Sequence, residues 1–233
     1  MKRFRAAALA IAAATAGAAN AATPDQAALA RACSIPEETV AASEALEPAL
    51  KRFDADIAHE VKGAIAPDAI RIIEFFDYSC PSCMALHPVF ERYLADNRDV
   101  RLNLVEYPIY GRTLVSRVTG NKTLTATHVA LAARDQGKYM AFHNALFSRG
   151  GRPDMKKIKW AAGRAGLDYD AALARAAADD IQALAEENLA YAETLGIIGT
   201  PGLVVEGIIL SVGPWSLENV GCLVQAARAA KAK

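Results

Sequence analysis

The feature that most limits the fold of this chain is an abrupt change of periodicity at two cysteines. The run from Ala69 to Phe76 is rich in β-branched and aromatic residues, which indicates a buried strand. Cys80 and Cys83 follow it, and the apolar spacing is helical from Pro81 to about Asn97. The sequence therefore predicts a strand that passes directly into a helix, with both cysteines at the junction.

The segments after this junction predict a small α/β domain with an insertion. Residues 100–106 alternate like a second strand, and a β-α-β unit of this length favours parallel pairing. Residues 113–195 have almost no strand signal and indicate several alanine-rich helices. The sequence then predicts a hairpin of two short strands, at 202–206 and 208–211. A last helix follows from 216 to 233.

The first 21 residues predict export. Met1–Arg5 is basic, residues 6–19 are almost all alanine or other apolar residues, and Ala19-Asn20-Ala21 has the small-x-small pattern of a cleavage site. We expect a signal peptide over residues 1–21, cleaved near Ala21/Ala22, and a mature protein in the periplasm. The 26 basic residues balance the 26 acidic residues, so no charge excess suggests nucleic acid as a partner.

Residues 22–66 predict a helical extension before the main domain. Ser34-Ile35-Pro36-Glu37 fits a capping box, and an apolar stripe at helical spacing follows, made of Leu46, Leu50, Phe53, Ile57 and Val61. Pro48 should interrupt this helix. The stripe is expected to dock on its own domain, and the alternative is an arm that forms a homo-oligomer.

Three uses of a Cys-x-x-Cys pair can be compared at Cys80 and Cys83. Structural zinc needs a second ligand pair, which the other two cysteines and the four histidines do not supply. A structural disulfide between residues three apart closes too small a loop to stabilise much. A redox pair explains the position, because free backbone amides and the positive end of a helix stabilise a thiolate at Cys80.

The redox interpretation gives the two sulfurs different roles. Cys80, whose sulfur we expect to be exposed at the start of the helix, exchanges with the substrate, and Cys83, one turn into the helix, resolves the mixed disulfide. Pro81 occupies the first helical position, where its missing amide hydrogen costs nothing. Ser82 offers a neutral hydroxyl instead of the positive charge of a histidine. We therefore expect Cys80 to be acidified but less oxidising than a Cys-Pro-His-Cys centre.

Two segments carry a family resemblance. Glu74–Cys83, which reads Glu-Phe-Phe-Asp-Tyr-Ser-Cys-Pro-Ser-Cys, resembles the active-site segment of the DsbA-like branch of the thioredoxin-fold proteins. Gly196–Gly202 is similar to the family's Thr/Val-cis-Pro loop, and the helical block between the two segments matches the family's insertion. The resemblance implies an α/β thioredoxin fold at residues 67–233 with an all-helical insertion at about 112–195, preceded by the N-terminal helical extension.

The same resemblance implies functional residues. Cys80 corresponds to the nucleophile and Cys83 to the resolving thiol, while Thr200 and Pro201 correspond to the substrate-binding loop, with Pro201 in a cis peptide bond. Glu74 matches a buried acid, whose raised pKa would let it exchange protons near Cys83. The simpler alternatives are an ordinary turn at Thr200–Pro201 and a salt-bridged acid at Glu74.

Some features depart from the family pattern. Residues 112–127 do not follow it, which leaves the shape of the substrate groove open. The extension is similar to that of the oligomeric branch that includes isomerases and the copper-tolerance protein ScsC, although here it is short and broken by Pro48. Threonine before the cis-proline leans towards isomerase or reductase behaviour. His87, one turn beyond Cys83, is a candidate soft-metal ligand, and a packed histidine is the simpler interpretation.

Cys33 and Cys222 lie outside both motifs. In an oxidising compartment, we interpret them as a structural disulfide that ties the extension to the terminal helix. Two unpaired buried cysteines, or an intermolecular bridge at Cys33, are the alternatives.

The sequence therefore indicates an exported thiol:disulfide oxidoreductase, an oxidase or isomerase that acts on protein thiols and disulfides with a membrane redox partner and without a cofactor or metal. The alternative function is a copper(I)-binding protein that uses the same Cys80 and Cys83 thiols, because thiolates select Cu(I).

Overall fold

A mixed β-sheet lies at the centre of the computed structural model, which describes residues 20–21, 24–36, 40–42, 60–64, 66, 68–110, 124–211 and 216–232. The strands in these residues are β1 Asn20–Ala21, β2 Val40–Ala42, β3 Glu60–Gly63, β4 Ile70–Phe76, β5 Val100–Glu106, β6 Gly202–Val205 and β7 Ile208–Leu210. The sheet has the order β1-β2-β7-β6-β4-β5-β3. As predicted, β4 and β5 are parallel, whereas the neighbouring pairs are antiparallel.

The helices of the described residues surround this sheet. They are α1 Pro24–Ala32, α2 Pro81–Asp96, α3 Ala126–Ala133, α4 Tyr139–Ser148, α5 Met155–Ala165, α6 Tyr169–Ala176, α7 Asp179–Thr194 and α8 Leu217–Lys231. Several begin at side-chain caps: Asp154 and Asp168 accept backbone N–H groups at α5 and α6, and Ser216 forms a capping box with Asn219 at α8. The predicted helical insertion is thus present from α3 to α7.

Strand β4 is buried on both of its faces, which explains its nearly unbroken apolar sequence. Ile72 and Phe76 contribute to one core with the helices of the insertion. Ile73 and Phe75 contribute to a second core, in which they pack with residues of α7. Glu74 lies on the same face as Ile72 and Phe76. Because β5 pairs in register, Glu106 stands opposite Phe76 on that face as well.

The N-terminal extension begins with a helix, α1, as predicted, but the helical pattern predicted from Pro24 to Lys62 does not continue through its other described residues. Helix α1 ends at Ala32, and Ser34, with φ at 55°, lies in a turn instead of capping a new helix. Val40–Ala42 and Glu60–Gly63 are strands, and Glu60 pairs with Leu104 of β5. Backbone pairing at the open edge of β5 therefore overrides the helical spacing, and Val61 is 39% exposed. The rest of the stripe, Pro48 and residues 112–123 lie outside the described residues, as do residues 1–19.

The structure joins Cys33 to Cys222 by a disulfide whose Cα atoms are 5.5 Å apart. This bond ties the residue after α1 to α8. The Asn219 amide donates a hydrogen bond of 2.8 Å to the Cys33 carbonyl and reinforces the same attachment.

Crossing a bilayer requires a helix that is both long and apolar, and no helix of the described residues meets both requirements.

Candidate functional site

The junction of β4 and α2 places Cys80 at the start of a helix. Cys80 is the N-cap residue of α2, with φ −85° and ψ 120°, and Pro81 follows it inside the first turn. No side chain caps this end of the helix. The backbone N–H groups of Ser82 and Cys83 instead help to lower the pKa of Cys80, as expected where free amides meet a thiolate.

The second motif lies directly against this sulfur. The Cys80 Sγ is 3.2 Å from the carbonyl oxygen of Thr200, 120 residues further along the chain. The Thr200–Pro201 peptide bond is cis, the geometry that the resemblance predicts. The Thr200 hydroxyl is buried and has no other partner in the described residues, so that it can turn to donate to a Cys80 thiolate.

The two cysteines have opposite acidity. A hydrogen bond from the Cys83 thiol, assisted by the Thr200 side chain and the two backbone amides, lowers the pKa of Cys80 to about 5 against the opposing effect of burial. Burial, the hydrogen bond that it donates to Cys80 and the nearby Glu74 carboxylate raise the pKa of Cys83 far above its usual value. The pair is therefore a thiolate beside a thiol.

The expectation of an exposed Cys80 sulfur is wrong. Cys80 is only 3% exposed and Cys83 is completely buried, while Pro81 and Ser82 between them lie at the surface. The loop at Thr200 covers the sulfur from the side of the cis-proline.

Glu74 lies in the middle of β4 and is 5% exposed. Burial and the negative charge of Cys80 raise its pKa to about 8, and the positive charge of Lys62 acts in the opposite direction. Lys62 comes from β3 in the N-terminal extension and also forms an ion pair with Glu91 on α2. The extension thus supplies the cation that acts on the buried acid.

Asp77 is a site residue that the sequence analysis missed. Its buried carboxylate accepts hydrogen bonds from the backbone N–H groups of Ser79 at 2.7 Å and Tyr110 at 2.6 Å. Its own carbonyl accepts the N–H of Cys80 at 3.0 Å. The bond to Ser79 is an Asx-turn, so an aspartate placed directly after a strand was the available signal.

A second buried acid, Glu106, was also missed. The Tyr139 hydroxyl donates to its Oε1 at 2.6 Å, and the Asn188 amide donates to its Oε2 at 3.4 Å. Nearby, the Tyr78 hydroxyl lies 3.1 Å from Nδ1 of His143. Burial raises the Glu106 pKa to about 7, although the bond from Tyr139 opposes this effect. These partners come from α4 and α7, which no local pattern reveals.

His87, the candidate soft-metal ligand, lies in an aromatic cluster. Its ring stacks on Phe147 and meets the ring of His143 edge to face. Burial, with a smaller effect of Lys62, lowers the His87 pKa to about 4. The described residues contain no group of three His, Cys, Asp or Glu side chains that could hold a metal ion. The ring contacts support the interpretation of His87 as a packed histidine.

Comparison with known proteins decides the family. A model of the DSBA-like thioredoxin domain matches residues 71–221, which is more than half of the chain. The chain belongs to the DsbA-like thioredoxin family. This DsbA-like protein is therefore an oxidoreductase of the thiol:disulfide class, with the thioredoxin fold that the sequence predicts.

Solved structures share the fold of the DsbA-like protein. A thioredoxin-like oxidoreductase from Silicibacter pomeroyi is 29% identical, with a TM-score of 0.65 over 81% of this chain and 99% of that one. The catalytic domain of Proteus mirabilis ScsC is 24% identical, with a TM-score of 0.61 over 80% and 98%. The thiol-disulfide exchange protein α-DsbA2 from Wolbachia pipientis is 21% identical, with a TM-score of 0.58 over 79% and 95%. No curated protein matches this chain.

Proposed function

We propose that this protein exchanges disulfides with protein substrates, with Cys80 as the nucleophile and Cys83 as the resolving thiol. The observation that carries the proposal is the asymmetry of the pair. Cys80, with a pKa of about 5, is a thiolate at neutral pH, whereas Cys83 retains its proton. A thiolate is the attacking species in disulfide exchange, and an acidic thiol is also the better leaving group.

Reduction of a substrate takes two steps. The Cys80 thiolate attacks one sulfur of the substrate disulfide, the substrate S–S bond breaks, and one substrate thiolate leaves while a mixed disulfide forms. Cys83 then loses its proton and attacks the Cys80 sulfur. The mixed disulfide breaks, the second substrate thiolate leaves, and the Cys80–Cys83 disulfide forms. Two electrons pass to the substrate, and oxidation of a substrate dithiol follows the same steps in reverse.

Glu74 is the proposed acceptor of the Cys83 proton. Its negative charge raises the pKa of Cys83, so the two groups interact electrostatically. A pKa of about 8 means that Glu74 exchanges protons readily near neutral pH. A salt-bridged acid with a low pKa, the simpler alternative, does not describe this buried group.

The proposed substrate surface is the loop at Thr200 and Pro201. A substrate segment in extended conformation would lie against this loop and reach Cys80 beside it. Ile198, two residues before Thr200, is 72% exposed and offers an apolar contact next to this path. The fixed loop would position the substrate sulfur, which contributes to the rate through orientation.

The proposed site of action is the periplasm, where a membrane partner would renew the redox state of the cysteines. The Cys33–Cys222 disulfide supports an oxidising compartment. Cleavage of the proposed signal peptide near Ala21/Ala22 would remove β1, and the sheet of the mature protein would then begin at β2.

The decisive test is insulin reduction in the presence of a thiol reductant. We expect turnover by the natural protein, none by Cys80→Ala, and a trapped mixed disulfide in Cys83→Ala. The Cys80 pKa lies between the values of thioredoxin, about 7, and DsbA, about 3.5. We therefore expect a reduction potential between roughly −270 and −120 mV, which equilibration with glutathione buffers would measure. Equal turnover by the natural protein and Cys80→Ala would refute the proposal.

A further inference from the structure

Residues 107–110, which follow β5, form hydrogen bonds with both parts of the candidate site. The Tyr107 hydroxyl donates to the carbonyl of Ile197 at 3.1 Å, in the loop that leads to the cis-proline. The backbone N–H of Tyr110 donates to Oδ2 of Asp77 at 2.6 Å, in the segment that leads to the two cysteines. One short segment therefore connects two motifs that lie far apart in the sequence.

Asp77 continues this connection to Cys80. Its Oδ1 accepts the backbone N–H of Ser79 at 2.7 Å, and its carbonyl accepts the N–H of Cys80 at 3.0 Å. Asp77 is 2% exposed, so water competes little for these hydrogen bonds. The same aspartate thus binds the Tyr110 amide and the backbone at the nucleophile.

Ile197 continues the connection to the loop at the cis-proline. Its N–H donates to the carbonyl of Ala192, in the last turn of α7, at 3.0 Å. Its side chain packs against the backbone of Gly202, where an added Cβ would lie 2.4 Å from Cγ2 of Ile197. The loop is therefore held at Ile197 and Gly202. The Thr200 carbonyl, 3.2 Å from the Cys80 sulfur, lies between these two residues.

The 107–110 segment is itself attached to the sheet. The N–H of Tyr107 donates to the carbonyl of Phe76, the last residue of β4, at 2.7 Å. The N–H of Ile109 donates to the Tyr107 carbonyl at 2.8 Å, and the ring of Pro108 fixes its φ angle. Tyr107 is also buried. These contacts allow the segment to keep the two motifs at a fixed separation.

We propose that Tyr107 and Asp77 are positioning residues for disulfide exchange. Through residues 107–110, they hold the cis-proline loop in place beside the Cys80 sulfur. The two links act in series, so loss of either one releases the loop from the Cys80 segment, and loss of both has no further effect. The consequence for turnover rests on the proposed function, because the loop then orients the substrate sulfur. The attachment of the loop does not rest on it.

Two conservative substitutions each remove one link. Tyr107→Phe removes the hydroxyl and leaves the ring in the second core. Asp77→Asn keeps one acceptor oxygen and replaces the other by an NH₂ group, which cannot accept a hydrogen bond. The turn to Ser79 is local, so we expect the Tyr110 N–H to lose its acceptor.

The same substitutions at remote positions provide matched controls. Tyr169→Phe changes a ring in the first turn of α6. Asp168→Asn changes the residue that accepts the Ala171 N–H at the start of that helix. Asparagine caps a helix as well as aspartate does, so both control variants should behave like the natural protein.

The first measurement compares a protein substrate with a small reagent. For insulin reduction, we expect kcat/KM to fall about tenfold in Tyr107→Phe, about tenfold in Asp77→Asn, and no more than about tenfold in the variant with both substitutions. Alkylation of Cys80 by iodoacetamide, which does not use the loop, should keep its rate in Tyr107→Phe.

Three results of this measurement would overturn the proposal. The first is unchanged insulin reduction in Tyr107→Phe. The second is an equal fall of insulin reduction and alkylation in that variant, which would indicate a general disturbance of Cys80. The third is a loss of about a hundredfold in the variant with both substitutions, which two independent effects would give.

The second measurement follows the loop itself, by amide hydrogen exchange of Ile198 in the reduced protein. This N–H donates to the carbonyl of Ser211 at 3.2 Å. We expect about tenfold faster exchange in Tyr107→Phe and in Asp77→Asn, with no further increase when the two are combined. Exchange at the natural rate in Tyr107→Phe would contradict the proposal.

These outcomes separate the positioning role from the proposed function. A natural protein that does not reduce insulin would refute the proposed function, and the exchange rates of Ile198 would then decide the attachment of the loop alone. If Asp77→Asn does not fold, Tyr107→Phe still makes both measurements against Tyr169→Phe, and natural rates in either of them would be contrary to the proposal.

Discussion

Two buried carboxyl groups lie on one face of neighbouring strands, and their surroundings differ in kind. Glu74 in β4 is influenced by charges, those of Cys80 and Lys62. Glu106 at the end of β5 is held by neutral hydrogen-bond donors, Tyr139 and Asn188. The pKa is raised for both, to about 8 and about 7. Burial therefore raises the pKa of both acids. The Glu74 pKa also depends on the redox state of Cys80, whereas the hydrogen-bond donors of Glu106 carry no charge that changes with redox state.

The largest expected effect is on stability as a function of pH. Each folded pKa lies above the usual value of 4.5, so each acid contributes its full stability below pH 4.5, and this contribution is lost as the pH rises to about 8 for Glu74 and about 7 for Glu106. The losses are on the order of 5 and 3 kcal/mol. Urea unfolding of the natural protein, Glu74→Gln and Glu106→Gln at each pH should show the differences.

The Cys80 thiolate has the opposite effect on the free energy of unfolding, because its lowered pKa makes stability rise with pH between about 5 and 9. Only the difference between the natural protein and each glutamine variant therefore isolates the acid. If both differences are independent of pH, the pKa values of these carboxyls are not raised in the folded state.

Apolar replacement should separate the two sites more sharply. Glu106→Leu leaves the Tyr139 hydroxyl and the Asn188 amide without their acceptor and should cost about 2–5 kcal/mol of unfolding free energy. Glu74→Leu removes a buried carboxyl whose partners are charges and should cost less, or even stabilise. The measurement is urea unfolding at pH 7. Equal costs at the two positions would contradict the distinction.

The redox state of the cysteines should affect only one of the acids. Formation of the Cys80–Cys83 disulfide removes the thiolate charge, so the Glu74 pKa should fall by about one unit, while that of Glu106 should change little. Carboxyl ¹³C NMR titration of the reduced and oxidised protein measures both values. A shift of equal size at Glu106 would show that the two acids respond to the same charge.

The smallest expected effects come from the cations. Lys62→Met should raise the Glu74 pKa by about half a unit and leave the Glu106 pKa unchanged. Arg134→Met should raise the Glu106 pKa by a similar amount and leave the Glu74 pKa unchanged. The same ¹³C titration applies, and each variant serves as the control for the other. If the Glu74 pKa is the same in Lys62→Met as in the natural protein, Lys62 has no electrostatic effect on Glu74.

The local part of the site could be predicted because its signals are close in sequence. Cys80, Cys83 and Glu74 lie within ten residues, and a strand-to-helix transition fixes their order. Glu106 gave no such signal, because a glutamate at the end of an alternating strand looks like an ordinary polar end. Its partners Tyr139 and Asn188 follow 33 and 82 residues later, so that only tertiary packing brings them together.

The errors in the fold have a similar origin. Val61 continued a helical spacing, yet its backbone pairs with Asn103 because β5 offers an open edge. The Cys80 sulfur was expected to be exposed at the start of α2. Thr200, which covers the sulfur, comes from a loop that pattern analysis can identify but cannot position in space.

Strand β3 links the N-terminal segment to the chemistry of the cysteines. Removal of residues up to 66 from this chain would take away Lys62 and uncover the outer edge of β5 in one step. The leading segment is thus an integral part of the redox unit, and a trimmed protein would differ from the whole one in the acidity of its buried carboxyl as well as in its shape.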